Sequence, residues 1–275
     1  MPHDPHGDPT AVPNYRSLLD LSGRAVVVLG AGQGIGRQCA HALTQAGAAV
    51  VCVDRVDELA KSVADEVGGH AVVGDIISRT EVERIIAAAE ASAGPLTGLV
   101  DVVGVAYPGD FVNYDDDRWD RQFDIVLEHT RLAMQVGGRA ILRAGGGSMV
   151  FIGSSSGEGY AKGQAVYGTA KAALHHLVRS VGVEWAAEGV RVNAVAPGPV
   201  RTPRLVAAVD EAGWESVSGI IPRGYAGVPS EIASAVLFLM SDLANYVTGH
   251  VLMADGGIVN RMPAPAIEFA AEASR

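Results

Sequence analysis

Arg24-Ala25-Val26-Val27-Val28-Leu29-Gly30-Ala31-Gly32-Gln33-Gly34-Ile35-Gly36-Arg37 joins an unbroken apolar run to a glycine-rich turn, and the turn leads straight into a segment of helical period. Consecutive apolar residues without polar alternation describe a strand covered on both faces. Glycines at a strand-to-helix turn let the backbone approach a phosphate, whose charge the helix N-terminus stabilises. Neither Gly30 nor Gly32 begins a full G-x-G-x-x-G, because Ile35 and Arg37 stand where the last glycine would fall; the spacing that fits is Gly30-xxx-Gly34-x-Gly36. The turn reads as a candidate dinucleotide loop built from Gly30, Gln33, Gly34, Ile35 and Gly36, with a plain tight turn as the alternative.

Outward from this turn the same alternation repeats. Apolar, β-branched runs at 25–29, 49–53, 71–73, 99–103, 149–152, 190–196 and 251–253 read as strands, and segments of helical period at 36–45, 58–67, 80–93, 118–143, 167–187 and 230–242 fill the gaps. Repeated βαβ units predict an α/β fold with a parallel sheet and helices on both faces. Residues 1–20, with Pro2, Pro5, Pro9 and Pro13, read as a flexible arm, 21–260 as a single domain and 261–275 as a tail. The stretch 202–229 has no clear pattern and is expected to form a lid.

Composition excludes several functions. Lys and Arg number 21 against 31 Asp and Glu, and the net charge of −10 works against binding to nucleic acid or an anionic membrane. Cys39 and Cys52 are too few for a disulfide framework and sit in apolar surroundings, as small buried hydrophobes do. No run of 18 apolar residues occurs, and the start lacks the basic patch and apolar core of a signal peptide, so the chain is expected in the cytoplasm. His3 and His6 in the arm read as solvated, and no metal site is expected.

Asp54 closes the second strand, 24 residues past Gly30, near the offset at which an acid hydrogen-bonds the adenosine ribose hydroxyls. Its charge would repel a 2′-phosphate. Arg55 beside it would attract one, but Gln33 in the loop is not basic, and the acid favours NAD over NADP. An ordinary strand-end acid is the alternative.

Tyr167 and Lys171 lie four residues apart at the start of an expected helix, hence one turn apart on one face. A nearby ammonium favours a phenolate, which suits the pair to acid–base work. Ser154 precedes Tyr167 by 13 residues, at the C-terminal end of an expected central strand, where open α/β sheets place their ligands. Its hydroxyl can hold a substrate oxygen.

These motifs resemble the short-chain dehydrogenase/reductase family in its compact, single-domain branch, over residues 21–257. The resemblance rests also on Gly74-Asp75-Ile76, on the run from Arg191 through Asn193, Pro197, Gly198 and Val200 to Thr202, on Tyr246-Val247-Thr248-Gly249 and on Asp255-Gly256-Gly257. It implies a Rossmann-like doubly wound sheet of seven strands in order 3-2-1-4-5-6-7, and hydride transfer between nicotinamide C4 and a carbonyl or hydroxyl carbon. It further implies that Tyr167 is the acid–base, that Ser154 anchors the carbonyl oxygen, and that Lys171 holds the nicotinamide ribose and lowers the tyrosine pKa. Asp75 and Ile76 would contact adenine, the Val200 backbone and Thr202 the carboxamide, with Gly104, Pro197 and Gly198 completing the cofactor side. A homotetramer or homodimer, packed partly through the Tyr167 helix, is implied as well.

Two positions depart from the family. Asp101-Val102-Val103-Gly104 stands where the family has Asn-Asn-Ala-Gly, so only the glycine is kept, with Asp101 a substitute acceptor. Asp124-Ile125-Val126-Leu127 puts Val126 where an asparagine normally holds a proton-relaying water; catalysis is expected to persist by another proton path, through backbone carbonyls and water. A cofactor-binding protein that senses NAD or scaffolds partners is the second reading, which the intact Ser154, Tyr167 and Lys171 disfavour. A sugar-nucleotide epimerase would need a larger C-terminal domain. Val105, Tyr107, Ser156, Tyr160 and Gln164, with Trp214, Val217 and Ile220 from the lid, are the expected substrate-facing residues, and they suit a neutral, apolar or cyclic alcohol or ketone. His175 and His176 read as helix-surface or subunit-contact residues.

Overall fold

Apolar side chains on both faces of the strands build two cores, one on either side of a single sheet. The structure, a computed structural model, describes residue 8, residues 10–159 and residues 161–261. Seven parallel strands lie in the order β3-β2-β1-β4-β5-β6-β7, as the resemblance implies. They are β1 (Ala25–Leu29), β2 (Ala49–Asp54), β3 (His70–Val73), β4 (Leu96–Asp101), β5 (Gly147–Ile152), β6 (Val190–Pro197) and β7 (Val251–Ala254). The helices are α1 (Gly34–Gln45), α2 (Asp57–Val67), α3 (Arg79–Ala93), α4 (Asp116–Phe123), α5 (His129–Arg143), α6 (Ala165–Glu184), α7 (Pro203–Val206), α8 (Glu211–Ile220) and α9 (Pro229–Met240).

Successive strand side chains point to opposite faces. In β1, Ala25, Val27 and Leu29 enter the core shared with α3, α5 and α6, whereas Val26 and Val28 enter the core shared with α1 and α9. Each fully buried Val or Leu contributes about 1.5–3 kcal/mol. Four helices begin on the side-chain caps that their sequences offer: Ser78 accepts from Glu81 N–H, Asp115 from Arg118 N–H, Thr202 from Leu205 N–H and Asp210 from Gly213 N–H.

Three segments differ from the sequence expectation. Strand β4 starts earlier than 99 and ends at Asp101, because the Asp101 carboxylate takes the Val103 N–H at 3.0 Å and turns the chain out of the ladder. The expected helix 118–143 is split into α4 and α5 by a π-helical turn, Asp124–Glu128, in which the His129 N–H donates to the Asp124 carbonyl. Residues 202–229 carry α7 and α8, with a small core of their own around Trp214, Ile221 and Ala226. Among the described residues no helix is long and apolar enough to cross a membrane. The strand order reverses between β1 and β4, and ligands of such sheets bind beyond the C-terminal strand ends at that reversal.

Candidate active site

The glycine loop sits at this reversal. Gly30 follows β1 with φ of +81°, and Gly34 opens α1 with φ of +56°. Gly36 has no room for a side chain: a Cβ there would stand 2.0 Å from the Gly30 carbonyl oxygen. That contact fixes α1 against the end of β1. Gln33 precedes α1 without a side-chain cap on the helix, so the first-turn N–H groups keep their capacity for an anion, and Ile35 packs against the α1 core face.

Asp54, half-buried at the end of β2, accepts from Gly32 N–H and Val56 N–H, each at 3.0 Å. The acid thus ties the glycine loop to the second strand, and Arg55 beside it is exposed. Thr202 stands across the loop: a Cβ on Gly34 would lie 3.7 Å from its side chain. Val200 is buried and bridges to Gly227, and Pro197 ends β6 with Gly198 after it, packed on Asp255. Asp75 is half-buried after β3, whereas the Ile76 side chain is buried in the core with Val53 and Val82. Uncapped helix, glycine cradle and strand-end acid together fit a dinucleotide.

Ser154, Tyr167 and Lys171 meet at the end of β5. Ser154 is almost buried, and its Oγ accepts from Ser156 N–H at 3.1 Å. Tyr167 lies in the first turn of α6, where the helix dipole favours a phenolate. Lys171 follows one turn later, its ammonium 5.8 Å from the Tyr167 ring centroid and 2.6 Å from the Ile152 carbonyl oxygen. Gly104 leaves room for that ammonium, since a Cβ there would come within 3.2 Å of Lys171 Nζ.

Burial holds the Tyr167 phenol above its ordinary range, against the Ser154 hydroxyl and the Arg204 guanidinium, which act the other way. Burial pushes Lys171 itself down to about 8, opposed by the Asp101 carboxylate. Bound oxidised nicotinamide supplies a hydride acceptor and a positive charge that favours the phenolate. Cys39 and Cys52 are buried thiols pushed up to about 12, unsuited to nucleophilic chemistry.

The expected substrate-facing residues divide. Val105 and Tyr107 are half-buried and held by Gln122, which accepts from Tyr107 N–H at 2.7 Å and donates to the Val105 carbonyl at 2.8 Å. Ser156 Oγ donates to Gln164 Oε1 at 2.8 Å, beside Ser154. Trp214 does not close over the site: at 3% exposure it fills the core of the α7–α8 segment with Val217, under Arg201, while Ile220 is half exposed. Tyr160, His3, His6 and the tail beyond Arg261 lie outside the described residues. His176 is exposed, as expected, but His175 is buried against Ser154, because the chain after β5 folds over it.

Sequence reasoning missed Gln122, the burial of His175 and the pairing of Asp101 with His129. His129 Nε2 lies 3.2 Å from Asp101 Oδ2, though not aligned as a hydrogen bond. For Gln122, His129 and His175 the signal was a polar residue on the apolar face of a helical pattern. An open groove of about 580 Å³ between α1 and α9, lined by Arg16, Gln38, His41 and Ser234, holds none of the residues of this site.

A family model described as enoyl-(acyl carrier protein) reductase matches residues 30–259. The chain belongs to the short-chain dehydrogenase/reductase family. This short-chain dehydrogenase/reductase is 36% identical over 249 residues to galactitol 2-dehydrogenase (L-tagatose-forming) of Cereibacter sphaeroides, across 89% of this chain and 98% of the relative. It is 36% identical over 241 residues to cis-4-hydroxycyclohexanecarboxylate dehydrogenase of Sinomonas cyclohexanicum, across 85% of this chain and 96% of the relative. Among solved structures, a 7α-hydroxysteroid dehydrogenase complexed with NADH and 7-oxo glycochenodeoxycholic acid matches with a TM-score of 0.83 at 30% identity, over 88% of this chain and 96% of the other. The short-chain dehydrogenase/reductase described here is accordingly an NAD(P)-dependent oxidoreductase acting on CH–OH groups.

Proposed function

We propose that the enzyme uses NAD and moves a hydride between nicotinamide C4 and the carbon of a neutral, apolar or cyclic secondary alcohol or ketone. The observation that carries this reading is the meeting of Ser154, Tyr167 and Lys171 at the end of β5, beside the glycine loop. Tyr167 takes the hydroxyl proton in oxidation and returns it in reduction. Ser154 holds the same substrate oxygen, and Lys171 holds the nicotinamide ribose. Gly30, Gln33, Gly34, Ile35 and Gly36 receive the pyrophosphate, Asp54 the adenosine ribose, and Thr202 with the Val200 backbone the carboxamide. Asp75 flanks the adenine, with Ile76 behind it as core.

Preference for NAD is supported by Asp54, the acid that ends β2 and bonds the glycine loop, and by the lack of a basic residue within that loop. The relatives that act on galactitol and on a hydroxylated cyclohexane ring support a secondary alcohol as the substrate. Arg204 favours a second reading, in which the ring alcohol bears a carboxylate: it is exposed on α7, and its charge is felt at Tyr167. Residues 21–260 form the catalytic domain, with α7 and α8 as its lid, in a cytoplasmic homotetramer or homodimer.

The test is absorbance at the nicotinamide band, with NAD and NADP offered against galactitol, cyclohexanol and cis-4-hydroxycyclohexanecarboxylate, and Tyr167→Phe alongside. Turnover with NAD that falls at least a thousandfold in Tyr167→Phe is expected. Equal turnover in the variant overturns the assignment of Tyr167. An Arg204→Ala variant that raises KM for the carboxylate alone selects the second reading.

A further inference from the structure

We infer that His175 is a positioning residue for Ser154, held by Glu158 in the one tautomer that can accept the Ser154 backbone N–H. The inference rests on the reading of Ser154 as the anchor of the substrate oxygen. His175 lies one turn beyond Lys171 on α6 and its side chain is 0% exposed. Nε2 stands 3.3 Å from the Ser154 nitrogen, and Nδ1 stands 2.9 Å from Glu158 Oε1.

A backbone N–H only donates, so Nε2 must be bare. The single ring proton therefore sits on Nδ1, where the Glu158 carboxylate accepts it. Arg179 Nη2 donates to the same carboxylate oxygen at 2.9 Å and holds it in place. Glu158 is one-third exposed, so the buried ring is oriented from the surface.

Strand geometry explains why Ser154 needs this acceptor. The Gly153 N–H still bonds the Val195 carbonyl, one residue beyond the end of β5, but the Ser154 N–H has left the ladder. Without His175 it is a nearly buried donor with no partner, which is costly to leave unmade. The segment is shaped to the ring: a Cβ on Gly153 would stand 2.3 Å from Nε2, and one on Gly157 would stand 2.7 Å from Cε1. Two glycines thus let the chain wrap the imidazole and deliver the Ser154 hydroxyl beside Tyr167.

The bond makes the site sensitive to acid. A proton on Nε2 would set two donors face to face and push Ser154 away. Burial holds His175 below the usual histidine range; Glu158 opposes this, while the charges of Lys171 and Arg179 reinforce it. The ring is neutral at pH 7 and Ser154 is held there.

Two measurements test the inference. In the ¹⁵N spectrum of histidine-labelled protein, with His175→Gln used to assign the signal, His175 is expected as a neutral ring protonated on Nδ1. A ring protonated on Nε2 overturns the inference without reference to turnover. In kinetics with NAD and galactitol or cyclohexanol, His175→Leu is expected to lower kcat at least tenfold with KM for NAD within twofold. His175→Gln, whose amide oxygen can accept from Ser154 while its NH₂ donates to Glu158, is expected within threefold of the parent and without the acid-limb ionisation. Equal loss in both variants means that ring volume rather than hydrogen bonding matters, and overturns it. Should His175→Leu not fold, Glu158→Ala at the surface is expected to lower kcat and move the acid limb to lower pH; a profile matching the parent overturns the inference. Ser154→Ala separates the two readings. Full activity there rejects Ser154 as the anchor, whereas a hundredfold loss there with an unaffected His175→Leu rejects only the role of His175.

Discussion

Lys171 Nζ donates to the Ile152 carbonyl oxygen at 2.6 Å, so the Lys171 ammonium is anchored to the last residue of the strand that presents Ser154. The bond leaves the charge almost wholly out of water. Burial pushes Lys171 from 10.5 down to about 8, a penalty on the fold of about 3 kcal/mol.

That penalty predicts a trade of stability against activity. A base depressed in the folded state costs its full amount below the folded pKa, near 8, and the cost fades as pH rises towards 10.5. Lys171→Met is expected to stabilise the protein at pH 7 by roughly 1–3 kcal/mol, after allowing for the orphaned Ile152 carbonyl, and to abolish turnover. Urea unfolding at pH 7 and pH 10 checks it: the gain should shrink at the higher pH.

Asp101 is the acid that opposes this depression. Asp101→Asn removes its charge and moves Lys171 further down, so the ammonium is lost earlier as pH rises. The alkaline limb of kcat/KM is expected to shift to lower pH, read from a pH–rate profile of the two proteins side by side. An unmoved limb would show that Asp101 does not act on Lys171.

Gly36 is predicted to tolerate no side chain. The Cβ of Gly36→Ala would meet the Gly30 carbonyl oxygen at 2.0 Å, a contact with rigid backbone that has no flexible end to give way. A loss of about 1–3 kcal/mol in urea unfolding and at least tenfold weaker NAD binding by titration calorimetry are expected. Gly104→Ala, whose Cβ meets the end of Lys171 at 3.2 Å, should cost less stability but more catalysis.

Val126 is fully buried within the π turn, with its carbonyl oxygen accepting from Thr130 Oγ1 at 2.9 Å. Lys171 already has a carbonyl partner and a balancing carboxylate without it. Val126→Asn is expected to lower stability by about 1–3 kcal/mol, the cost of an imperfectly paired buried amide, and to leave kcat within threefold. A faster enzyme with an altered pH dependence would instead identify Val126 as a gap in the proton path.

Strand positions and the convergence of Ser154, Tyr167 and Lys171 were legible because each rests on local chemistry, apolar runs, glycine at a turn and two residues one helical turn apart, whereas the sheet order came only from the family resemblance of the motifs. What was not legible depends on contacts distant in sequence. Asp101 ends β4 through its own side chain, which no hydrophobic pattern reports. The split of 118–143 is hidden because α4 and α5 each keep a helical period. Trp214 looked like a lid residue from its position alone; its burial under Arg201 depends on how α7 and α8 fold together. His175 looked superficial because nothing in α6 reveals that the chain after β5 returns over it.

The π turn at Asp124–Glu128 sets the phase between α4 and α5. Removing one residue from it would restore regular α-helical bonding and rotate α4 by about 100° against α5. Gln122 would swing away from the Val105 carbonyl and the Tyr107 amide, and the loop it holds at the mouth of the site would lose its anchor. The shape of the loop beside Ser154 and Tyr167 therefore depends on a residue count as well as on residue identities.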